Sequence, residues 1–158
     1  MLARKMRILE EVEEAWRELL EALDQVPPEK MEEPGVVGSW SVKDLCGHIS
    51  TWEEEVVENI QRFLEHRRMR QYRDIDAFNA RAVEAKSPLS LDAVMADFYN
   101  NHGEMMDFLR GLQDTVFALR AIQQRIRSDT YQHYREHAQD LLRWLQSNQS
   151  SQGPSPSS

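Results

Sequence analysis

The chain has 158 residues, 41% of them hydrophobic, and a formal net charge of −8, which fits one domain whose core can fold alone. It lacks an apolar run of about 18 residues and a secretion signal, so we expect a soluble, cytoplasmic protein with no membrane partner. Its single cysteine, Cys46, excludes an internal disulfide and a cysteine-rich zinc site. The negative charge repels phosphate, so we do not expect nucleic acid as a partner, although one local cluster is basic (Arg62, Arg67, Arg68, Arg70 and Arg73).

The first predicted element is one long amphipathic helix that ends before Pro27-Pro28. Glutamates fill the side opposite its apolar stripe, which a helix at the surface of a core requires. Apolar residues recur every three or four positions at Leu2, Met6, Leu9, Val12, Trp16, Leu19 and Leu23.

Cap signals predict the next three helices. Ser41, with Asp44 three residues later, starts a second long helix that runs to about Arg67. Asp74 caps a short helix that Ser87-Pro88 stops, and Ser90 caps a third long helix that runs to about Leu112.

The last part of the chain is less regular. Residues 113–127 have a helical composition without a clear cap, and Ser128-Asp129 supplies the start signal of a fourth long helix to about Leu145. Residues 147–158 contain nothing apolar to bury and are predicted to be a disordered tail. The sequence therefore predicts an all-α protein, with a four-helix up-and-down bundle over 1–146 and a short extra helix between helices two and three.

Three histidines predict a metal site. His133 and His137 are one helical turn apart and can reach the same ion. His48 lies roughly 10 Å below the start of helix two, and the pair lies roughly 6 and 12 Å below the start of helix four. The depths match if helices two and four run in the same direction, as alternate helices of an up-and-down bundle do. Three neutral imidazoles leave coordination positions open for water or substrate.

The remaining polar residues give few candidates for acid or base catalysis. We consider Glu55, His102 and Asp129, with Trp52 and Tyr134 as pocket walls. The acidic run 53–55 is otherwise expected to be a solvated face, and His102 a flank residue that packs on Met106. His66 is about 27 Å along the helix from His48 and cannot join the site.

Several motifs resemble the DinB/YfiT-like superfamily, and most of all its ClbS/DfsB branch. They are Gly38-Ser-Trp-Ser-Val-Lys-Asp-Leu-Cys-Gly-His48 with Trp52, Asp74-Ile-Asp-Ala-Phe-Asn79, Asp129-Thr-Tyr-Gln-His-Tyr-Arg-Glu-His137, and Leu142-Arg-Trp-Leu145. The likeness extends from the first helix to Leu145.

The resemblance implies a four-helix bundle that holds a divalent metal, often nickel or zinc, on three histidines that map to His48, His133 and His137. It also implies a homodimer. Some members transfer low-molecular-weight thiols to electrophiles, others isomerise with the help of a thiol, and the ClbS-like branch is linked to protection from a reactive genotoxic metabolite by hydrolysis.

The leading functional hypothesis is a metal-dependent hydrolase or thiol transferase acting on a small electrophile, for detoxification or self-protection. The ion would lower the pKa of a bound water or of a low-molecular-weight thiol, and the nucleophile in the open position would decide the reaction. Two alternatives stay open. One is a protein of the same fold that binds or sequesters a small molecule without turnover, and the other is a helical dimer whose histidines are ordinary interior groups.

Overall fold

The computed structural model describes residues 2–151 and consists of helices and their connections. No β-strand occurs in that part of the chain, so the all-helical bundle is confirmed. The α-helices are α1 (Leu2–Asp24), α2 (Val42–His66), α3 (Ile75–Lys86), α4 (Leu91–Gly111), α5 (Arg120–Ile126) and α6 (Gln132–Ser151). Short 3-10 turns at Pro28–Lys30 and Asp114–Ala118 lie in two of the connections.

The cap residues predicted for α2, α3 and α4 are confirmed by their hydrogen bonds. The Ser41 hydroxyl accepts from the Asp44 amide at 3.1 Å, and the Asp44 carboxylate accepts from the Ser41 amide at 3.0 Å. The side chains of Asp74 and Ser90 accept from the amides three residues later at 3.0 and 3.1 Å. Each cap satisfies an amide that the first turn of a helix leaves without a partner.

Contacts between α2 and α4 show that these helices run in the same direction. The Asn101 amide donates to the Ser50 carbonyl, and His102 contacts Glu53, so residue numbers rise together on both helices. In contrast, α1 runs antiparallel to α4, because Lys5 donates to the Arg110 carbonyl while Trp16 stacks on His102.

Helix α6 runs in the same direction as α1. Arg135 donates to Glu18, and residues that follow Glu18 share a surface cavity with residues that follow Arg135 (Glu21, Ala22 and Gln25; Ala138, Gln139 and Leu142). Since α1 opposes α4 and α4 parallels α2, α6 runs opposite to α2. The expectation that helices two and four are co-directional is therefore wrong. The two middle helices share one direction because α3 carries the chain back between them.

The predicted start of the fourth long helix is also wrong. Helical structure is continuous from Arg120 through a π-helical segment at Arg127–Tyr131 into α6. Asp129 is buried in that segment instead of capping a helix. The residues around Asp129 have the pattern of a helix N-cap. However, Ile122 and Ile126 pack into the core, so the helix continues on the N-terminal side of Asp129 instead of starting there.

Helix α6 extends to Ser151, beyond residue 146 where the domain was predicted to end. The rest of the predicted disordered tail, residues 152–158, lies outside the described residues. None of the helices in residues 2–151 combines the length and the apolarity that a membrane crossing requires.

Candidate metal centre

The side chains of His48, His133 and His137 meet between α2 and α6. The Nε2 atom of His133 lies 2.9 Å from Nε2 of His48 and 2.9 Å from Nε2 of His137. One nitrogen from each ring lies within 4.8 Å of the other two. The three imidazoles that the sequence nominated are therefore brought together, although the depth comparison that nominated them assumed the wrong helix direction and the wrong helix start.

The three nitrogens fit a cation better than they fit one another. A neutral imidazole has one N–H and one lone pair, and His133 Nε2 can satisfy only one of its two neighbours. The other close approach is then left without a hydrogen bond, whereas a cation among the three rings would satisfy all three nitrogen lone pairs. Nitrogen ligands of a tetrahedral zinc ion are about 3.3 Å apart, so the separation of 2.9 Å needs only a small opening.

Burial keeps these rings neutral, which is the form that binds a metal. Desolvation, followed by the charges of His137 and Lys86, lowers the pKa of His48 from 6.5 to about 3. Desolvation is also the largest cause of the lowered pKa values of His133 and His137. For His137 the Asp140 carboxylate opposes that effect, because it lies 3.0 Å from Nδ1.

The Asp140 contact fixes the orientation of one ring. When His137 Nδ1 carries the proton, it donates to Asp140 and leaves the Nε2 lone pair directed at the other histidines. The Nδ1 atoms of His48 and His133 are buried and have no hydrogen-bond partner among the described residues.

The histidines open onto a cavity of about 490 Å³ between α2, α3 and the π-helical segment. Trp40, Trp52, Val37 and Ile75 supply apolar walls, so Trp52 lies where the sequence predicted a pocket residue. Its Nε1–H donates to the Asn79 side chain at 2.8 Å, which fixes the ring and anchors α3 to α2. A cavity of this volume is large enough for a small organic molecule.

Among the three candidate bases, only Asp129 lines this cavity. Burial raises its pKa to about 6, although Arg125 and Ser128 oppose the shift through charge and hydrogen bonds. The Arg125 contacts are long, at 3.4 and 3.5 Å. Asp129 therefore combines access to the cavity with a proton affinity near neutral pH. The π-helical segment that carries it is a feature often found at functional sites.

Glu55 does not line the histidine cavity. Its carboxylate accepts from the Tyr72 hydroxyl at 2.5 Å and from Arg70 at 3.1 Å. Asn59 joins the same network and accepts from the Arg70 amide at 2.7 Å. The network holds the connection between α2 and α3 in place. Glu55 therefore stabilises the fold and does not line the histidine cavity.

His102 and Tyr134 also lie away from the cavity, in a second polar cluster inside the bundle. The Glu53 carboxylate accepts from the Tyr134 hydroxyl and lies 2.7 Å from His102 Nδ1. Trp16 stacks on His102 with ring centroids 3.7 Å apart. The expected pocket role of Tyr134 and the expected flank position of His102 are therefore wrong. We call Trp16, Glu53, His102 and Tyr134 the Glu53 cluster.

Glu53 itself was missed, because the run 53–55 was interpreted as a solvated face, yet Glu53 is fully buried. A signal for it exists in the sequence. Glu53 lies four residues after Ile49, three before Val56 and seven before Ile60, which places it on the buried stripe of α2. A glutamate on that stripe requires buried partners, and here Tyr134 and His102 supply them.

An arginine surface adjoins the histidine cavity. It comprises Arg67, Arg68, Arg70, Arg125 and Arg127, from the α2–α3 connection and the α5 region. Four of these side chains border a second cavity of about 610 Å³, and Arg125 borders both cavities. Arg70 pairs with Glu55 and Arg125 with Asp129, whereas Arg67, Arg68 and Arg127 have no acidic partner within 4.0 Å among the described residues.

The family model of the DinB superfamily matches residues 11–147. That match covers most of the chain, so the protein belongs to the DinB superfamily, as the resemblance predicted. No curated protein matches the sequence significantly.

Two solved structures share the fold. An uncharacterised protein from Escherichia coli UTI89 is 17% identical, with a TM-score of 0.76 over 92% of this chain and 94% of that chain. The colibactin self-resistance protein ClbS, in complex with a dsDNA, is 12% identical, with a TM-score of 0.76 over 90% of this chain and 95% of that chain.

The DNA in the ClbS structure contradicts the expectation that nucleic acid is an unlikely partner. That expectation depended on the net charge of −8, which is a sum over the whole chain. Phosphates respond to the local field, and five arginines lie together on the arginine surface.

Proposed function

We propose that this DinB-superfamily protein is a divalent-metal-dependent enzyme that directs water or a low-molecular-weight thiol against a small electrophile. The observation that carries the proposal is the convergence of the three Nε2 atoms at the wall of a substrate-sized cavity. Zinc and nickel both suit three imidazole ligands. A cation held there would lower the pKa of a coordinated water or thiol and so supply a nucleophile near neutral pH.

The chain's own residues prepare this site in two ways. His48, His133 and His137 stay neutral because they are desolvated, so their lone pairs are available without loss of a proton. When the proton of His137 is on Nδ1, Asp140 accepts a hydrogen bond from it and keeps the ring from turning. Both effects lower the free energy needed to assemble the ligand set.

We assign the role of general base to Asp129. Its carboxylate faces the same cavity as the histidines, and its raised pKa of about 6 suits a group that takes a proton near neutral pH. Arg125 orients the carboxylate through long contacts, which leave an oxygen able to accept a proton from the nucleophile. Trp40 and Trp52 supply apolar walls against which a small substrate can pack.

The proposal is tested with His137→Ala, with His66→Ala as the matched control. His66 lies at the exposed end of α2, so its loss leaves the cavity untouched. Turnover of an epoxide or activated-ester probe, with and without added thiol, should disappear in His137→Ala and persist in His66→Ala. Equal turnover in both variants would contradict the proposal. A reaction that stops after one equivalent of probe would instead identify a sequestering protein.

A second candidate function, binding of double-stranded DNA, is favoured by the arginine surface and by the DNA in the ClbS structure. Arg67, Arg68 and Arg127 lack acidic partners and are exposed, so they are available to phosphates. Phosphate contacts by arginine supply affinity without sequence preference, and they make binding depend on salt.

Replacement of Arg67, Arg68 and Arg127 by glutamine tests this second function. The control replaces Arg4, Arg7 and Arg17, which are exposed on α1 and change the net charge equally. If the arginine surface contacts DNA, the first variant reduces the slope of log K against log salt by about 2 to 3, and the control leaves it unchanged. Equal changes in both variants would show that only net charge matters.

A further inference from the structure

Each of the four long helices of the bundle contributes a polar or aromatic side chain to the Glu53 cluster. Trp16 comes from α1, Glu53 from α2, His102 from α4 and Tyr134 from α6. Each of these residues is at least 94% buried. The cluster therefore ties together the helices that build the histidine site while lying outside the histidine cavity.

Stability alone does not account for this cluster. A buried carboxylate is costly to desolvate, and apolar residues of similar volume often replace buried ionic groups without loss of stability. Moreover, Glu53 Oε1 and His102 Nε2 are buried without a hydrogen-bond partner among the described residues. Buried polar groups of this kind are best known for fixing the register between helices that an apolar stripe leaves free to slide or turn.

The cluster is adjacent in sequence to the histidines. Tyr134 follows His133 directly on α6, and Glu53 lies five residues after His48 on α2. The bond from Tyr134 to Glu53 and the contact of His133 with His48 thus join the same two helices at neighbouring levels. A helix that turns about its axis must move both residues together.

A small rotation is enough to spoil the histidine cluster. At roughly 6 Å from the helix axis, a turn of 10° displaces an imidazole nitrogen by about 1 Å. Metal ligands tolerate only about 0.2 Å. The three nitrogens can therefore converge only if the orientation of α6 against α2 is held closely, and the hydrogen bond from Tyr134 to Glu53 adds a directional constraint to the apolar packing between these helices.

We propose that Glu53 is a positioning residue for the histidine cluster, and that it holds α6 against α2 through Tyr134 and α4 through His102. The role for metal binding rests on the proposed function. The role in placing His48 beside His133 does not, because it concerns the protein without metal.

The first test measures ring proximity in the metal-free protein. The rings of His48 and His133 have centroids 4.8 Å apart, so their protons should give a nuclear Overhauser effect. Glu53→Met keeps the side-chain volume and removes the carboxylate, and Tyr134→Phe removes only the hydroxyl. We expect the signal to be lost in the first variant and weakened in the second. Ile60→Val, which trims a buried residue elsewhere on α2, should leave it unchanged.

The second test measures zinc affinity by competition with a chelator, together with the visible spectrum of the Co(II)-loaded protein. We expect affinity to fall by about 10- to 100-fold in Glu53→Met, as for loss of a residue that orients ligands. Glu53→Gln, which keeps an acceptor for Tyr134, should recover most of the affinity and the parental spectrum. Urea unfolding of each variant shows whether it is folded. If Glu53→Met does not fold, the zinc affinity and the Overhauser effect of Tyr134→Phe test the positioning role instead.

The outcomes separate the two proposals. An unchanged Overhauser effect in folded Glu53→Met and in Tyr134→Phe would overturn the positioning role. Parental protein that shows the Overhauser effect but binds neither zinc nor nickel would overturn the metal-dependent function, and loss of the effect in the variants would still establish the positioning role.

Discussion

Two polar clusters join α2 to α6, and they differ in access. The histidine cluster opens onto a cavity of about 490 Å³, and three of its nitrogen atoms face one another. The Glu53 cluster is sealed, with Glu53 and Tyr134 fully buried and bonded to each other. Similar residue types on the same two helices therefore have different uses. The open cluster can bind and react, whereas the closed one can only hold the helices in place.

The largest expected effect is the loss of metal binding in His133→Ala, since His133 contacts both other histidines. Zinc at about 1,000 times its dissociation constant should stabilise the parental protein by about 4 kcal/mol. The variant should show no such gain in calorimetry or chemical unfolding. An equal zinc-dependent gain in the variant would mean that the ion binds elsewhere, and it would contradict the assignment of metal binding to the histidine cluster.

The second largest effect is expected for Asp129→Asn, on kcat. Loss of a general base lowers kcat by about 100- to 10,000-fold. Zinc affinity should stay the same, because Asp129 is not one of the three clustered ligands. In the parental enzyme, kcat should rise with pH as Asp129 loses its proton, and a bound divalent cation would place this rise below the pKa of about 6 that burial gives Asp129 in the metal-free protein. Asp76→Asn changes another acid of the same cavity and serves as the control. Matching kcat values for the two variants would remove Asp129 from the mechanism.

Asp140→Asn should have an intermediate effect. It weakens the acceptor for His137 Nδ1, so zinc affinity should fall by about 10- to 100-fold while folding is retained. Arg143→Gln removes the other side chain bonded to Asp140 and leaves the His137 contact intact. Competition titrations should therefore separate the two variants, and indistinguishable affinities would show that Asp140 does not orient the ring.

The smallest expected effect concerns the pH dependence of stability without metal. The pKa of His48 is lowered from 6.5 to about 3 in the folded state, so the unfolded chain binds the extra proton between these values. Stability should therefore fall as pH falls below 6.5, by about 1.4 kcal/mol per pH unit from His48 alone. Urea unfolding between pH 7 and 5 should show a shallower decline in His48→Gln. Parallel curves for the two proteins would contradict the burial of a neutral His48.

Local signals in the sequence predicted much of the fold. Ser41, Asp74 and Ser90 cap the helices that they were expected to cap, because a cap depends on only a few neighbouring residues. Asp129 has the same local signal and caps nothing, since core packing continues the helix through it. Helix direction also depends on tertiary contacts, so the order of helices alone did not reveal that α2 and α6 are antiparallel.

The candidate site also has features that follow from local sequence and features that depend on tertiary contacts. The spacing of His133 and His137 follows from helical geometry and could be predicted. His48 was nominated by a depth comparison that assumed the wrong helix direction, and the likeness to a family pointed to the same residue. Tyr134 and Glu53 were misplaced because a tyrosine and a glutamate fit either a pocket or a core. Only the positions of Ile49 and Val56 around Glu53 could have indicated burial.

The most direct test is the metal content of untagged protein, purified without added metal, measured by inductively coupled plasma mass spectrometry. The account predicts close to one divalent ion, zinc or nickel, per chain in the parental protein and in His66→Ala, and almost none in His133→Ala. A parental protein that remains metal-free after incubation with either ion, or a His133→Ala variant that retains one equivalent, would contradict it.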